Sequence, residues 1–290
     1  MCEQSTFLYI AAEFRNEDNE IERKERLGGG AFGTVYKVAI DGKEYAAKEL
    51  NHEYDAARKG EFSILPQLKH ENIVSYYDSR NCFLGQRPTL IMELMATNLH
   101  AHIESQAMST CEKIQIIRNV LSGLHYLHSH CPIIIHRDLT AKNVLLDSNG
   151  VAKVADFGNA RLIDESQLSS LSCGLGTQGY RAPEVFSGNY NEKVDIFSFG
   201  HLLLFIFIRK FPGKISSYLD ETDDGKPIYL SEVQRRRQYI EMLPKVCTKL
   251  ILEVVDRAVR DCLSCGPKQR PSASDLCETF SSVSYSVNET

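Results

Sequence analysis

The chain has 290 residues, with 33 Lys and Arg against 38 Asp and Glu and a formal net charge of −5. That balance excludes the strongly basic footprint of a nucleic-acid-binding protein. Hydrophobic residues at 43% and charged residues at 24% indicate a soluble globular chain, long enough for one large domain or two small ones sharing a core.

The opening Met1-Cys2-Glu3-Gln4 has neither the basic region nor the apolar core of a secretory leader. Nine cysteines without such a leader read as reduced thiols of a cytoplasmic protein. The longest strongly apolar run, Leu202 to Ile208, falls far short of the ~18 residues of a membrane span.

Residues 1–20 are polar and acidic around a short apolar patch, Phe7-Leu8-Tyr9-Ile10, and read as a loosely held lead-in. Next comes Leu27-Gly28-Gly29-Gly30-Ala31-Phe32-Gly33-Thr34-Val35. Its glycines satisfy GxGxxG, a spacing shared by dinucleotide folds, but a dinucleotide fingerprint must open a helix. Here Val35 to Ile40 is a β-type run, Asp41-Gly42 is a hairpin signal, and Glu44 to Lys48 returns as a strand. No Lys follows Gly33, so this is not a P-loop. A Gly-rich turn between antiparallel strands makes a phosphate lid of backbone N–H groups; a plain glycine hairpin is the alternative.

Lys48 ends an apolar strand behind that lid, where a cation suits the α- and β-phosphates. Residues 53–65 read as a short helix ended by Pro66. Glu61, on the face that turns inward, is the carboxylate expected to orient Lys48, with Glu53 as runner-up. Thr89 to Met95 is a buried strand breaking into a polar segment. Residues 111–128 place Ile114, Ile117, Val120, Leu121, Leu124 and Leu127 at helical spacing. His125, His128 and His130 have no Cys or carboxylate nearby in sequence to complete a zinc site.

The most informative stretch is His136-Arg137-Asp138-Leu139-Thr140-Ala141-Lys142-Asn143, entered by Ile133-Ile134-Ile135 and left by Val144-Leu145-Leu146. Ser148-Asn149-Gly150 supplies a turn, and Val151 to Ala155 leads into Asp156-Phe157-Gly158. Polar residues thus sit on loops held by buried β-segments, the usual mounting for chemistry. Two acids and an Asn on adjacent loops form an oxygen set suited to magnesium, which shares its ligands with substrate phosphates.

Residues 165–174 are rich in Ser and Gly and read as a mobile loop running into Gly176-Thr177-Gln178-Gly179-Tyr180-Arg181-Ala182-Pro183-Glu184. Val194 to Gly200 lead into the apolar run Leu202 to Ile208. Residues 212–234 are a polar surface loop, and Ser231 to Tyr239 a charged helix whose Arg235-Arg236-Arg237 is a solvated face, with a docking patch as the alternative. Cys262-Leu263-Ser264-Cys265 has no second pair at metal-knuckle spacing.

The HRDxxxxN loop at His136–Asn143 and the DFG loop at Asp156 resemble the catalytic and metal loops of the eukaryotic protein kinases. The likeness covers about residues 21–282 with its motifs in the family's order. It implies an α+β, bilobal fold. The kinase domain would span 21–284: a small, mostly β N-lobe with one helix C (21–93), a hinge (94–98) and a larger, mostly α C-lobe (99–284), followed by a 285–290 tail.

It also implies transfer of the γ-phosphoryl group of ATP to a protein hydroxyl, with magnesium as cofactor. By resemblance Asp138 is the catalytic base, Lys48 and Glu61 orient the phosphates, Thr177 hydrogen-bonds Asp138, and Asn143 and Asp156 hold the metal. Leu27, Gly28, Gly29, Gly30, Ala31, Phe32 and Gly33 close over the nucleotide, Val35, Ala46 and Leu145 sandwich adenine, Met92 is the gatekeeper, and the Glu93 and Met95 backbones face the base. Asp195 resembles the residue that holds the catalytic-loop backbone, and Arg270 would pair with Glu184. Kinases with Arg before the catalytic Asp often grip a loop phosphate with it, which assigns that phosphate to Ser169, Ser170 or Ser172.

The acceptor is less uniform. Thr140-Ala141-Lys142-Asn143 is similar to the tyrosine-kinase run, whereas Gly176 to Tyr180 is similar to the serine/threonine docking segment. The mixture resembles the tyrosine-kinase-like group, whose members mostly phosphorylate Ser and Thr; a tyrosine or dual-specificity kinase is the alternative. A pseudokinase scaffold would lack at least one of Lys48, Asp138, Asn143 or Asp156, and all are present. The expected partners are ATP and a protein substrate, with no nucleic acid and no membrane span; the oligomeric state stays open.

Overall fold

A computed structural model of the protein describes residues 21–30, 33–50, 59–82, 87–163, 176–177, 179–209, 220–221, 227–228 and 249–283. The 1–20 lead-in, Ala31, Phe32, Glu53, the three loop serines and the charged stretch 231–239 lie outside the described residues.

The N-terminal part is a five-stranded antiparallel sheet in the order β1-β2-β3-β5-β4. Its strands are β1 (Glu22–Gly30), β2 (Gly33–Ile40), β3 (Lys43–Leu50), β4 (Tyr76–Cys82) and β5 (Arg87–Glu93). Asp41 and Gly42 both take positive φ, 52° and 76°, as a two-residue hairpin of matching twist requires. That turn fixes Ile40 opposite Lys43, and so sets Lys48 between Val35 on β2 and Leu90 on β5. Side chains alternate across the sheet. Leu50, Leu90 and Met92 join the main core, whereas Val38, Ile40, Ala47 and Ile91 form a separate cluster on the other face.

Helix α1 (Lys59–Ile64) gives way to a 3-10 turn, Leu65–Gln67, that contains Pro66. The α-helix ends just before Pro66, as expected, and the proline lies in the tighter turn that follows. It stands at the start of that turn, where its missing N–H would have no partner anyway.

The C-terminal part is mainly helical. Helix α2 (Leu99–Ser105) is capped by Asn98, whose side chain accepts the Ala101 N–H at 2.9 Å. Helix α3 (Thr110–His128) is capped by Ser109, which accepts the Glu112 N–H at 3.1 Å. Helix α4 (Lys193–Ile208) is apolar all round and buried from Val194 to Phe207 save for Phe197, as a helix at the centre of a lobe must be. Gly200 lets it approach α5 (Lys249–Cys262) closely: a Cβ there would stand 2.8 Å from Cys262 Cβ. Helix α6 (Ala273–Ser281) begins with a reciprocal Ser272–Asp275 capping box. Arg118 on α3 binds its far end, donating to the carbonyls of Phe280 and Val283 at 2.9 and 2.7 Å.

Short strands carry the loops between the two parts. A three-stranded sheet joins β6 (Thr97–Asn98), β8 (Val144–Leu146) and β9 (Ala152–Val154), and β7 (Ile133–Ile135) pairs with β10 (Arg161–Ile163). Strand β9 also holds the N-terminal part: the Val74 N–H donates to the Val154 carbonyl at 3.0 Å, and the Val154 N–H to the Asn72 carbonyl at 2.9 Å. A β lobe and a helical lobe meeting at these loops make the α+β, bilobal fold.

Candidate active site

The loop after β7 is anchored from below by Asp195, fully buried on α4. Its Oδ2 accepts the His136 N–H and its Oδ1 the Arg137 N–H, each at 2.8 Å, and His128 Nε2 lies 2.9 Å from Oδ2. Burial pushes this carboxyl up, but His128 and the backbone donor outweigh it and hold Asp195 below the usual carboxylate range. Arg137 turns the chain with a φ of 65°. The buried His136 ring packs edge-on against Phe157 at 5.2 Å and lies 3.0 Å from the Ala155 carbonyl, knitting the first loop to the second.

Asp138 is thereby presented with both carboxylate oxygens engaged. Thr177 donates its N–H and its hydroxyl to Oδ1, at 2.8 and 2.7 Å. Asn143 Nδ2 donates to the Asp138 carbonyl at 2.8 Å and to Oδ2 at 3.2 Å, and Asn159 Nδ2 reaches Oδ2 at 3.4 Å. Gly176 allows Thr177 to come this close. Its φ is 95°, and a Cβ there would lie 2.6 Å from the Arg137 carbonyl oxygen.

The second cluster spans the lobes. Lys48 Nζ donates to both Glu61 oxygens at 2.8 Å and to Asp156 Oδ1 at 2.6 Å. Lys48 and Glu61 are 6% and 2% exposed. Burial works against the lysine's charge, yet the two carboxylates outweigh it and raise its pKa. Burial raises Glu61, which Lys48 only partly offsets. Burial also raises Asp156, but there Lys48 prevails and the net shift is downward. Asp156 itself takes a φ of 63°.

The remaining oxygens fit a hard divalent cation. Among the described residues Asn143 bonds through Nδ2 and Asp156 through Oδ1, which leaves Asn143 Oδ1 and Asp156 Oδ2 as acceptors without hydrogen-bond donors. Two oxygen donors on adjacent loops are the partial ligand set that a hard divalent cation completes with phosphate and water.

Leu27, Gly28, Gly29 and Gly30 end β1, and Gly33 opens β2 opposite Gly30. A Cβ on Gly33 would stand 2.3 Å from the Glu49 carbonyl oxygen, so this glycine is required by close backbone approach. Val35 and Ala46 share the β2–β3 ladder with Lys48, and Ala46 faces Met92 on β5. Leu145 lies opposite Asn98 beyond Met95, where the Ala96 N–H donates to the Leu146 carbonyl at 2.9 Å. The Glu93 side chain is occupied: it binds Lys153 Nζ at 2.8 Å and the Ser75 N–H at 2.6 Å.

Sequence reasoning missed Asn159, Lys153 and the bond from His128 to Asp195. Their partners lie 21, 60 and 67 residues away, beyond the reach of any local pattern.

Residues 21–280 match the sequence model of the protein kinase domain. The chain belongs to the protein kinase family. Among curated proteins, this kinase domain is 34% identical over 244 residues to the proline-rich receptor-like protein kinase PERK3 of Arabidopsis thaliana, covering 80% of the chain and 47% of that protein. It is 29% identical over 275 residues to the LRR receptor-like serine/threonine-protein kinase FEI 2 of the same plant, covering 91% and 46%. A probable serine/threonine-protein kinase of Dictyostelium discoideum is 30% identical over 270 residues, covering 90% and 24%. The chain thus spans at most about half the length of these relatives. Among the described residues no helix is long and apolar enough to cross a membrane, and no group of three or more His, Cys, Asp or Glu could hold a metal ion.

Proposed function

We propose that this kinase domain transfers the γ-phosphoryl group of ATP to Ser or Thr hydroxyls of protein substrates. The observation that carries the reading is the convergence of two engaged carboxylates. Asp138 is held by Thr177 and Asn143, and Asp156 is bound to Lys48 from the other lobe. The relatives named as serine/threonine-protein kinases support the acceptor class, as does Thr177 seated on Asp138.

In this reading Lys48, oriented by Glu61, binds the α- and β-phosphates, and the backbone of Gly28 to Gly33 covers them. Asn143 and Asp156 would hold magnesium, which neutralises phosphate charge when bound. Asp138 accepts a hydrogen bond from the acceptor hydroxyl and aims its oxygen at phosphorus. An ordinary Asp has a pKa of about 3.9, a weak base for an alcohol, so aiming contributes more than early proton removal. The adenine slot of Val35, Ala46, Leu145 and the Glu93 and Met95 backbones, the lobe limits at 93 and 98, and a cytoplasmic setting belong to the same proposal. The free cysteines at positions 111, 262 and 277 support the cytoplasmic setting.

Phosphoamino-acid analysis of a protein substrate labelled with ATP tests the acceptor: phosphoserine and phosphothreonine are expected, and phosphotyrosine alone would overturn the assignment.

A further inference from the structure

Around Asp138 the charges do not balance. Every described carboxylate on the loops that form the site is already engaged. Asp156 binds Lys48, Glu184 binds Arg270 at 2.9 Å, Asp195 binds the loop backbone, and Asp147 accepts the N–H groups of Asn149 and Val151 at 2.8 Å. Arg137 is taken up by the Asn159 carbonyl and the Tyr190 hydroxyl, and two further cations on the same loops have no carboxylate partner among the described residues.

The first is Lys142. The Asn143 N–H donates to the Thr140 carbonyl at 3.0 Å, closing a turn that brings Asn143 back to Asp138 and leaves Lys142 exposed at its tip. The second is Arg181 in the docking segment. It donates to the Gly176 carbonyl, one residue before Thr177, and its guanidinium sits 5.4 Å above the Phe186 ring. Phe186 is itself 59% exposed, and the Arg181 Nε is buried without a partner. A cation stacked on an aromatic face has a fixed position and little water to lose.

From this arrangement we infer a substrate class: acceptor segments with acidic residues close to the phosphorylated Ser or Thr. The inference rests on the kinase reading and deepens it. Lys142 adjoins Asn143, which touches Asp138. Arg181 touches Gly176, whose neighbour Thr177 touches Asp138. A peptide laid across Asp138 in extended form advances about 3.3 Å per residue, so side chains within about three residues of the acceptor come within reach of the two cations. The chain's overall charge of −5 would repel an acidic segment, so the attraction is local to these loops.

The test uses the full chain with magnesium and ATP and three peptides of equal length, each with one Ser, flanked by Asp, by Ala or by Lys. The Asp-flanked peptide is expected to exceed the Ala-flanked one about tenfold in kcat/KM, with the gain in KM, as two charge pairs near the surface permit. Raising salt to about 0.3 M should shrink the gap. Lys142→Glu should reduce or reverse the preference while keeping kcat on the Ala-flanked peptide within about twofold of wild type. Equal kcat/KM on all three peptides, or an unchanged acidic preference in Lys142→Glu, would overturn the inference and leave the kinase reading standing. Failure to label any of the peptides would remove the kinase reading and the inference together.

Discussion

Replacing Lys48 by Met probes the buried charge cluster that joins the two lobes. The ammonium bridges Glu61 and Asp156 at 2.8 and 2.6 Å, with side-chain exposures of 7% for Lys48 and 3% for Glu61. Removing one partner of a buried pair leaves the other charge without compensation and costs about 3–5 kcal/mol. For a domain of this size, the melting temperature should drop by roughly 6–15 °C. Loss of one preorganised donor to the phosphates should lower kcat by about 10²- to 10³-fold.

The two losses separate in a second variant. Adding Glu61→Gln removes the stranded carboxylate, so the double mutant should regain about 2–3 kcal/mol of stability while staying as inactive as the single. pH gives a further check. Burial already raises Glu61 with Lys48 present, and without the lysine it rises further. A group raised on folding stabilises below its unfolded pKa and loses that contribution as pH climbs through the folded value. The melting deficit of Lys48→Met should therefore be small near pH 5 and grow toward pH 8, whereas the double mutant should show no such slope. Thermal unfolding of both proteins across that range decides the matter: coincident curves at every pH would refute the argument that the triad is an electrostatic unit.

Thr177→Val removes one of two donors to Asp138 Oδ1 and keeps the backbone donor, so kcat should fall by roughly 10- to 100-fold, as expected for a hydrogen bond to a charged group, while Thr177→Ser stays near wild type in a steady-state assay. Arg270→Met strands Glu184 and removes the guanidinium lying 4.8 Å over Phe197, and should cost about 3–5 kcal/mol in urea unfolding. Asp195 is depressed on folding, so its contribution to stability is present above its unfolded pKa and is lost as pH falls through the folded value. Asp195→Asn should show a flatter acid limb in pH-dependent melting and a loss of about 1–3 kcal/mol at neutral pH.

Much of the fold was legible because its signals are local. Asp41-Gly42 carries its own turn, the apolar spacing from Ile114 to Leu127 defines a helix that runs from Thr110, and the apolar run Leu202 to Ile208 marks a buried one. Pro66 was a sound stop signal: the α-helix ends at Ile64 and only a 3-10 turn continues past it. Phe197, the one residue between Val194 and Phe207 that is not buried, lies under the Arg270 guanidinium, a contact no local pattern announces. The site was legible as a list of residues but not as an arrangement. His128, read only as a helix end, braces Asp195, and Asn159 looks like an ordinary residue after a glycine until its amide is seen on Asp138. Lys153 alternates with buried Ala152 and Val154 along β9, so period alone sends it outward, yet it lands on Glu93 across the lobe junction. These partners are set by how strands and helices stack, which no window of sequence contains.

The most direct test of the whole account is phosphate transfer from labelled ATP and magnesium to a protein substrate by wild type and by Asp138→Asn. The account predicts incorporation by wild type and a collapse of at least about a hundredfold in the variant, with melting little changed. Equal incorporation by the two proteins would contradict the role assigned to Asp138, and with it the active site drawn around that carboxylate.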